Sequence, residues 1–310
     1  MNLHVHKPEF RQLITITAKE KHIPEKAVEM DYYIVRALLL LSENEIANRC
    51  VFKGGTSLSK CYPGSIERFS QDIDLTFVPD ESMSDKQIER KLKTIEKVMT
   101  LGANTEIISE ERNERNKSLY FWYDNRTSMV KLEIGSSVRP EPYGQKTMRS
   151  YIQEYLENNG FEDAIGEYGL SPVTINVLNI ERTFIDKIMS VRRHSVCGSI
   201  TEKARHIYDV MRLFQMPEIK MFLCDKKELK RLVGLTKQTD SVYLEKRNIP
   251  KGFDPTGDYD FSAWKNAFIK AKDVYEHLHE ELLYTDEKQD FNVALAAFEK
   301  IDAILKSIGE

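Results

Sequence analysis

The 310-residue chain has no apolar run approaching the roughly 20 residues that a membrane-spanning helix needs. Stretches such as Ala37 to Leu41 and Val293 to Phe298 are far shorter and sit in helical patterns. Met1 to Lys19 mixes polar and apolar residues and lacks the apolar centre of a secretory signal. No membrane is therefore expected as a partner, and the expected location is the cytoplasm. The four cysteines, Cys50, Cys61, Cys197 and Cys224, show no CxxC spacing, which removes zinc and redox motifs and leaves free thiols. With 14 glycines and 10 prolines the chain is neither collagen-like nor of low complexity, and no repeat of solenoid length occurs. A strong charge of one sign is also missing, since 45 basic residues face 49 acidic ones.

What is present is a globular composition, 41% hydrophobic and 30% charged, on a length that suggests about two domains. The small net charge conceals segregation. Between Glu181 and Lys251 there are 16 Lys and Arg against 9 Asp and Glu, which leaves 29 against 40 elsewhere. A basic middle in an acidic chain is either a surface for phosphate or nucleic acid or an ordinary solvated helical face.

Ala27, Met30, Ile34, Ala37, Leu38 and Leu41 recur at helical spacing behind Pro24. A short apolar strand over 49–53 runs into Gly54-Gly55, and Thr56 to Lys60 starts a second helix. Over 69–78, Ile73, Leu75 and Phe77 alternate with Asp72, Asp74 and Thr76, the period of a half-buried strand. Ser84 with Gln87 forms a capping box ahead of the stripe Ile88, Leu92, Ile95 and Met99. Three strand-like runs, 105–109, 118–124 and 129–136, suggest an antiparallel meander. Beyond residue 150 one strand, 173–178, interrupts a mainly helical pattern, with a Gly- and Pro-containing loop expected over 247–259. These patterns predict an α+β protein: a mixed-sheet domain over 1–150 and a mainly helical domain over 151–310.

The chemistry concentrates in Phe52-Lys53-Gly54-Gly55-Thr56-Ser57-Leu58 and Arg68-Phe69-Ser70-Gln71-Asp72-Ile73-Asp74-Leu75. A Gly-Gly turn between strand and helix either closes the strand or lets a phosphate approach backbone N–H groups, with the Thr56 and Ser57 hydroxyls as added donors. Alternate residues on a strand project to the same side, so Asp72 and Asp74 set two carboxylates together, and two such anions call for a cation. Mg²⁺ suits hard oxygen donors and binds through one or two carboxylates plus substrate phosphates.

The two segments together resemble the AbiEii/AbiGii-type nucleotidyltransferase toxins, of the polymerase-beta-like nucleotidyltransferase fold. Glu181-Arg182-Thr183-Phe184-Ile185-Asp186-Lys187 and Arg205-His206-Ile207-Tyr208-Asp209 are similar to the family's third and fourth motifs. The resemblance spans roughly 25–215 and implies a Mg²⁺-dependent enzyme that transfers a nucleoside monophosphate from an NTP to an RNA, with the tRNA 3′ end as the expected acceptor. It also implies a toxin with an antitoxin partner encoded nearby. In such an enzyme Gly54, Gly55, Thr56, Ser57 and Ser70 would hold the triphosphate, Asp72 and Asp74 the metal, and Lys187 would supply a cation to the phosphates. Asp209 would either orient Lys187 or act as a base at the acceptor hydroxyl. Glu133, on a strand, is the candidate third metal carboxylate or simply an exposed strand residue. Arg205 would contact phosphates or form an i,i+4 pair with Asp209. Tyr120, Trp122 and Tyr123 either stack bases or pack in the sheet, and His194 and His206 lack metal-ligand spacing. A protein or small-molecule acceptor, or a non-catalytic nucleotide-binding module, are the competing readings.

Overall fold

In a computed structural model of the chain, the structure describes residues 1–310 apart from 125, 246–252, 281, 285–286 and 310, and apart from the side chains of 243–245. Two compact units result: Met1–Cys61 with Phe69–Leu178, and Tyr62–Arg68 with Asn179–Glu310.

The first unit starts with α1 (Lys7–Lys21) and α2 (Glu25–Ser42), followed by β1 (Cys50–Lys53), α3 (Gly54–Cys61), β2 (Asp72–Phe77), α4 (Asp85–Met99) and β3 (Asn104–Ile107). It continues with β4 (Asn116–Trp122), β5 (Val130–Gly135), β6 (Tyr143–Met148), α5 (Tyr151–Asn158), α6 (Glu162–Glu167) and β7 (Val173–Leu178). The strands form one mixed sheet in the order β3-β4-β5-β2-β1-β7-β6. β2 pairs antiparallel with β1 and parallel with β5, and β1 pairs parallel with β7. The antiparallel β3-β4-β5 meander is formed as the alternation predicted.

Ile73, Leu75, Phe77, Phe52, Leu132 and Ile134 put the inner sheet face out of water. α2 buries Val28, Met30, Tyr32, Ile34, Val35, Leu38 and Leu41, residues on more than one side of the helix, as befits a helix covered all round. At the start of α4, the Ser84 N–H donates to the Gln87 side chain at 2.8 Å, completing the expected capping box. Phe121 is fully buried, and Tyr123 packs its ring 4.9 Å from that of Tyr33. Of the three aromatics read from the sequence, Tyr123 packs against Tyr33, while Tyr120 and Trp122 are half-buried.

Two elements depart from the sequence reading. α1 buries Phe10, Ile14, Thr17 and Ala18, whose spacing is helical although the segment's polarity hides it. β6 alternates exposed and half-buried residues, Tyr143 to Thr147, with too little apolar content to announce a strand, and is made by its pairing with β7. That pairing also moves the boundary. β6, α5, α6 and β7 belong with the sheet, so the first unit runs past residue 150 to Leu178.

The second unit holds α7 (Ile180–Val196), α8 (Ala204–Gln215), α9 (Pro217–Cys224), α10 (Lys226–Glu245), α11 (Phe261–Phe268), α12 (Lys272–Glu276) and α13 (Phe291–Lys306). Its core includes Phe184, Ile188, Ile207, Val210, Leu213, Phe268, Phe298 and Ile301. The short segment Tyr62–Arg68 joins this unit because Glu67 pairs with Arg212 at 3.0 Å and its carbonyl accepts from the Tyr284 N–H at 3.1 Å. Of the loop expected over 247–259, residues 247–252 lie outside the described residues, and Phe253 to Tyr259 have neither helix nor strand. The four cysteines are free thiols. Among the described residues no helix is long and apolar enough to cross a membrane.

Candidate active site

β1 ends at Lys53, opposite Asp74 of β2, and the chain turns at Gly54 directly into α3. Gly54 has φ +85°, a backbone conformation that L side chains rarely adopt, and a Cβ there would stand 2.1 Å from Asp74 Oδ2. Glycine is required at this position twice over, by the backbone and by the carboxylate resting against it. Asp72 and Asp74 are both half-buried on one side of β2, while Ile73 and Leu75 between and beyond them are buried. The strand alternation thus produces the carboxylate pair read from the sequence.

Thr56 and Ser57 are almost fully buried. The Thr56 hydroxyl donates to the Asp72 carbonyl and lies 2.9 Å from the Ser70 hydroxyl, and Ser57 donates to the Gly54 carbonyl at 3.0 Å. Both hydroxyls are engaged inside the protein, where they hold the turn and the aspartate strand to each other. Lys53, Gly54, Gly55 and Ser70, by contrast, are only half-buried. At the far end of α3, Lys60 pairs with Asp31 of α2 at 2.6 Å and lies 4.0 Å from the Tyr151 ring centroid. Asp31 also accepts from the Tyr151 N–H at 2.7 Å, and burial raises its pKa against the pull of Lys60. This buried clamp fixes α3, and with it the glycine turn.

Glu133 lies in register with Asp74 on the neighbouring strand, as its position in β5 suggested. Its carboxylate, however, pairs with Lys131 at 2.6 Å. Lys131 also meets Glu111 at 2.9 Å; burial works against its ammonium, and the hydrogen bonds to the two carboxylates outweigh this and raise its pKa. Among the described residues no three His, Cys, Asp or Glu side chains are grouped to hold a metal, so Glu133 is not gathered with the aspartates into a ligand triad. Two half-buried carboxylates nevertheless fit Mg²⁺, which keeps several waters and takes much of its shell from substrate phosphates.

In the second unit Asp209 of α8 is completely buried and receives two cations. Arg68 grips it as a fork, Nε to Oδ1 at 2.6 Å and Nη2 to Oδ2 at 2.8 Å, and Lys187 of α7 reaches Oδ2 at 2.7 Å. Burial pushes the Asp209 carboxyl up, but the Arg68 and Lys187 charges overcome this and hold it well below the usual carboxylate range. Arg205 does not form the i,i+4 pair. It is exposed on α8, and Asp209 points to partners from the core side instead. Arg68 is the residue that sequence reading missed. It stood inside a recognised segment, but nothing in the sequence connects it to a carboxylate 141 positions away.

The rest of this region is basic. Burial lowers the pKa of Lys203, and the charges of Arg205 and Arg193 lower it further. The His206 ring lies 3.1 Å from the Ser190 hydroxyl and is kept neutral by burial and by Lys187. His194 is bonded to Ser199 at 2.8 Å, so neither histidine has the partners of a metal ligand.

The chain as a whole is similar to known proteins. The family model described as nucleotidyl transferase AbiEii toxin, type IV toxin–antitoxin system, matches residues 36–306. Among solved structures, MenT4, a nucleotidyltransferase toxin from Mycobacterium tuberculosis H37Rv, is 19% identical over 96% of this chain and 98% of its own, with a TM-score of 0.52, a likeness of fold. JHP933 from Helicobacter pylori is 16% identical over 92% of this chain and 94% of its own, at a TM-score of 0.48. No curated protein matches the chain. With nearly its whole length matched, including the glycine turn, the aspartate strand and the Lys187 and Asp209 helices, the chain belongs to the AbiEii family of nucleotidyltransferase toxins of type IV toxin–antitoxin systems.

Proposed function

We propose that this nucleotidyltransferase uses Mg²⁺ to transfer a nucleoside monophosphate from an NTP to an RNA, with the tRNA 3′ end as acceptor, and that an antitoxin encoded nearby counters the resulting growth arrest. The observation that carries the reading is the Asp74 carboxylate resting against Gly54 at the mouth of a strand-to-helix turn, with Asp72 beside it on β2. Asp72 and Asp74 would hold Mg²⁺, whose chemistry there would be to neutralise phosphate charge and ease the departure of pyrophosphate.

The chain's own residues do the rest. Gly54 and Gly55 let the phosphates come close to backbone N–H groups at the start of α3. The Ser70 hydroxyl adds a donor, and Thr56 and Ser57 keep the turn and the strand in register. Lys187 offers a compact cation to the phosphates. Asp209 orients Lys187. A carboxylate with both oxygens occupied by cations and its proton affinity this far reduced is a poor base, which argues against it at the acceptor hydroxyl. Arg205 and the basic surface around it suit RNA phosphates, whose contacts weaken with salt.

The test is transfer of label from α-³²P NTPs to total RNA in Mg²⁺, followed by separate ribonuclease and protease treatment. Label removed by ribonuclease and lost in Asp72→Asn and Asp74→Asn supports the reading. Label removed only by protease assigns a protein acceptor, and no transfer to any pool overturns the proposed nucleotidyl transfer.

A further inference from the structure

The helix α13 is apolar on two sides. Phe298 and Ile301 are fully buried in the core, whereas Val293 is 49% exposed and Ala296, one turn on, is exposed as well. A surface helix normally turns polar residues outward, so an outer apolar stripe calls for an explanation. Val293, Ala296 and Ala297 form one wall of a groove of about 500 Å³ that lies within the second unit. The facing wall is the C-terminal end of α8, where Met211 and Phe214 stand one turn apart and Gln215 turns its amide to the Met211 sulfur at 3.1 Å. The lining is almost wholly apolar.

The charge around it has one sign. Lys220 of α9 and Lys300 of α13 are the charged residues of the lining. Both are exposed, and among the described residues neither ammonium has an ion-pair or hydrogen-bond partner. Nearby carboxylates are engaged elsewhere or lie outside the lining. Glu299 pairs with Lys265 at 2.7 Å, Asp290 caps α13 by accepting from the Asn292 N–H at 2.8 Å, and Glu218 does not line the groove.

Shape selects the occupant. Val293, Ala296 and Lys300 leave the groove open along one side, and Asn292 to Lys300 span about 12 Å, roughly two helical turns. Both walls are helices whose backbone groups are already bonded, so an extended peptide laid here would press its own N–H and C=O groups against apolar carbon. A helix keeps those bonds internal and presents apolar side chains at i, i+3 and i+7. The small side chains of Ala296 and Ala297 let such a helix come close. An RNA strand would bring phosphates to the two lysines but would set its polar sugars against the apolar walls.

We propose that the groove between α8 and α13 docks an acidic amphipathic helix of a partner protein, with its apolar face on Met211, Phe214, Val293 and Ala296 and its carboxylates on Lys220 and Lys300. The proposal is independent of the nucleotidyl-transfer reading, because none of these residues belongs to the candidate active site.

The experiment measures, by fluorescence anisotropy, binding of the full chain to a panel of labelled helical peptides of about 18 residues, with Leu, Ile or Phe at i, i+3, i+4 and i+7 and Glu and Ala elsewhere. Members of the panel are expected to bind, and a scrambled peptide of the same composition is expected to bind at least about tenfold more weakly. K220E/K300E reverses both charges; it is expected to weaken the acidic peptide about tenfold and to gain affinity for the same peptide with Lys in place of Glu. A296E puts a carboxylate on the apolar wall and is expected to weaken the acidic peptide about tenfold or more. All three substituted positions are exposed, and thermal melting checks that the variants fold. Should A296E melt early, K220E/K300E with the charge-swapped peptide decides the matter. Failure of every peptide in the panel to bind wild type, or binding that neither variant alters, overturns the proposal. Loss of labelled tRNA binding in K220E/K300E with peptide binding unaltered assigns the lysines to RNA and equally overturns it.

Discussion

Replacing Gly54 with alanine tests the glycine turn and the proposed role of the aspartate pair at once. Two penalties are expected. The first is conformational: φ +85° costs an L residue on the order of 1–2 kcal/mol. The second is local: the new methyl would lie 2.1 Å from Asp74 Oδ2, far inside ordinary contact, so the carboxylate must move by about 1 Å or more. Metal-ligand distances tolerate only about 0.2 Å, and a misplacement near 1 Å can cost about 100-fold in rate. Gly102→Ala separates the two penalties. Gly102 has φ +78° in the same unit, and a Cβ there meets nothing within 4 Å, so this variant suffers the backbone strain without touching a side chain. Both variants are expected to lose similar stability in urea unfolding, while only Gly54→Ala loses about 100-fold in labelled-NTP transfer. Equal activity of the two would refute the idea that Gly54 exists to accommodate the Asp74 carboxylate.

Three further outcomes are expected. Thr56→Val removes the buried hydroxyl that joins Ser70 to the Asp72 carbonyl; about 1–3 kcal/mol of stability should go with it, and transfer activity should fall while Ser59→Ala, a half-exposed neighbour, stays near wild type. Glu133→Gln breaks a partly exposed ion pair with Lys131 and should cost transfer activity less than about tenfold, against roughly 100-fold or more for Asp74→Asn; a loss as large as that of Asp74→Asn would make Glu133 a third metal ligand after all. Asp240, 3.5 Å from Arg193, has its pKa raised to about 6, chiefly by burial and also by Asp186. The folded state therefore holds that proton more tightly than the unfolded state between about pH 4 and 6, and stability contributed by the neutral acid is lost as pH rises through about 6. Asp240→Asn should be more stable than wild type at pH 7.5, on the order of 2 kcal/mol, with the difference vanishing near pH 4 in denaturant titrations.

Much of the candidate site could be read from the sequence because it is local. Asp72 and Asp74 share a side because a strand has a period of two, and Gly54-Gly55 must turn because it separates a strand from a helix. The helix α2, the capping box at Ser84 and the strand 173–178 are likewise set by neighbours within a few residues. Reading weakened where an element depends on a remote partner. β6 has little apolar content and exists by pairing with β7, which is why the domain limit placed at 150 fell short of Leu178.

Side-chain partners were the least legible, and the reason is charge. A sequence shows that Arg205 and Asp209 are one helical turn apart, and a solvated helix would pair them. The packed unit buries Asp209 completely, and a buried carboxylate takes the cations that are buried with it, Arg68 and Lys187, while Arg205 stays in water. In the same way, sequence made Glu133 a metal candidate through its strand position, and the neighbouring Lys131 claimed its carboxylate. The sequence by itself determined which chemistry the chain carries and on which local elements. Tertiary structure alone decided which charges are buried against each other, because desolvation, the force that selects those partners, exists only once the chain has packed.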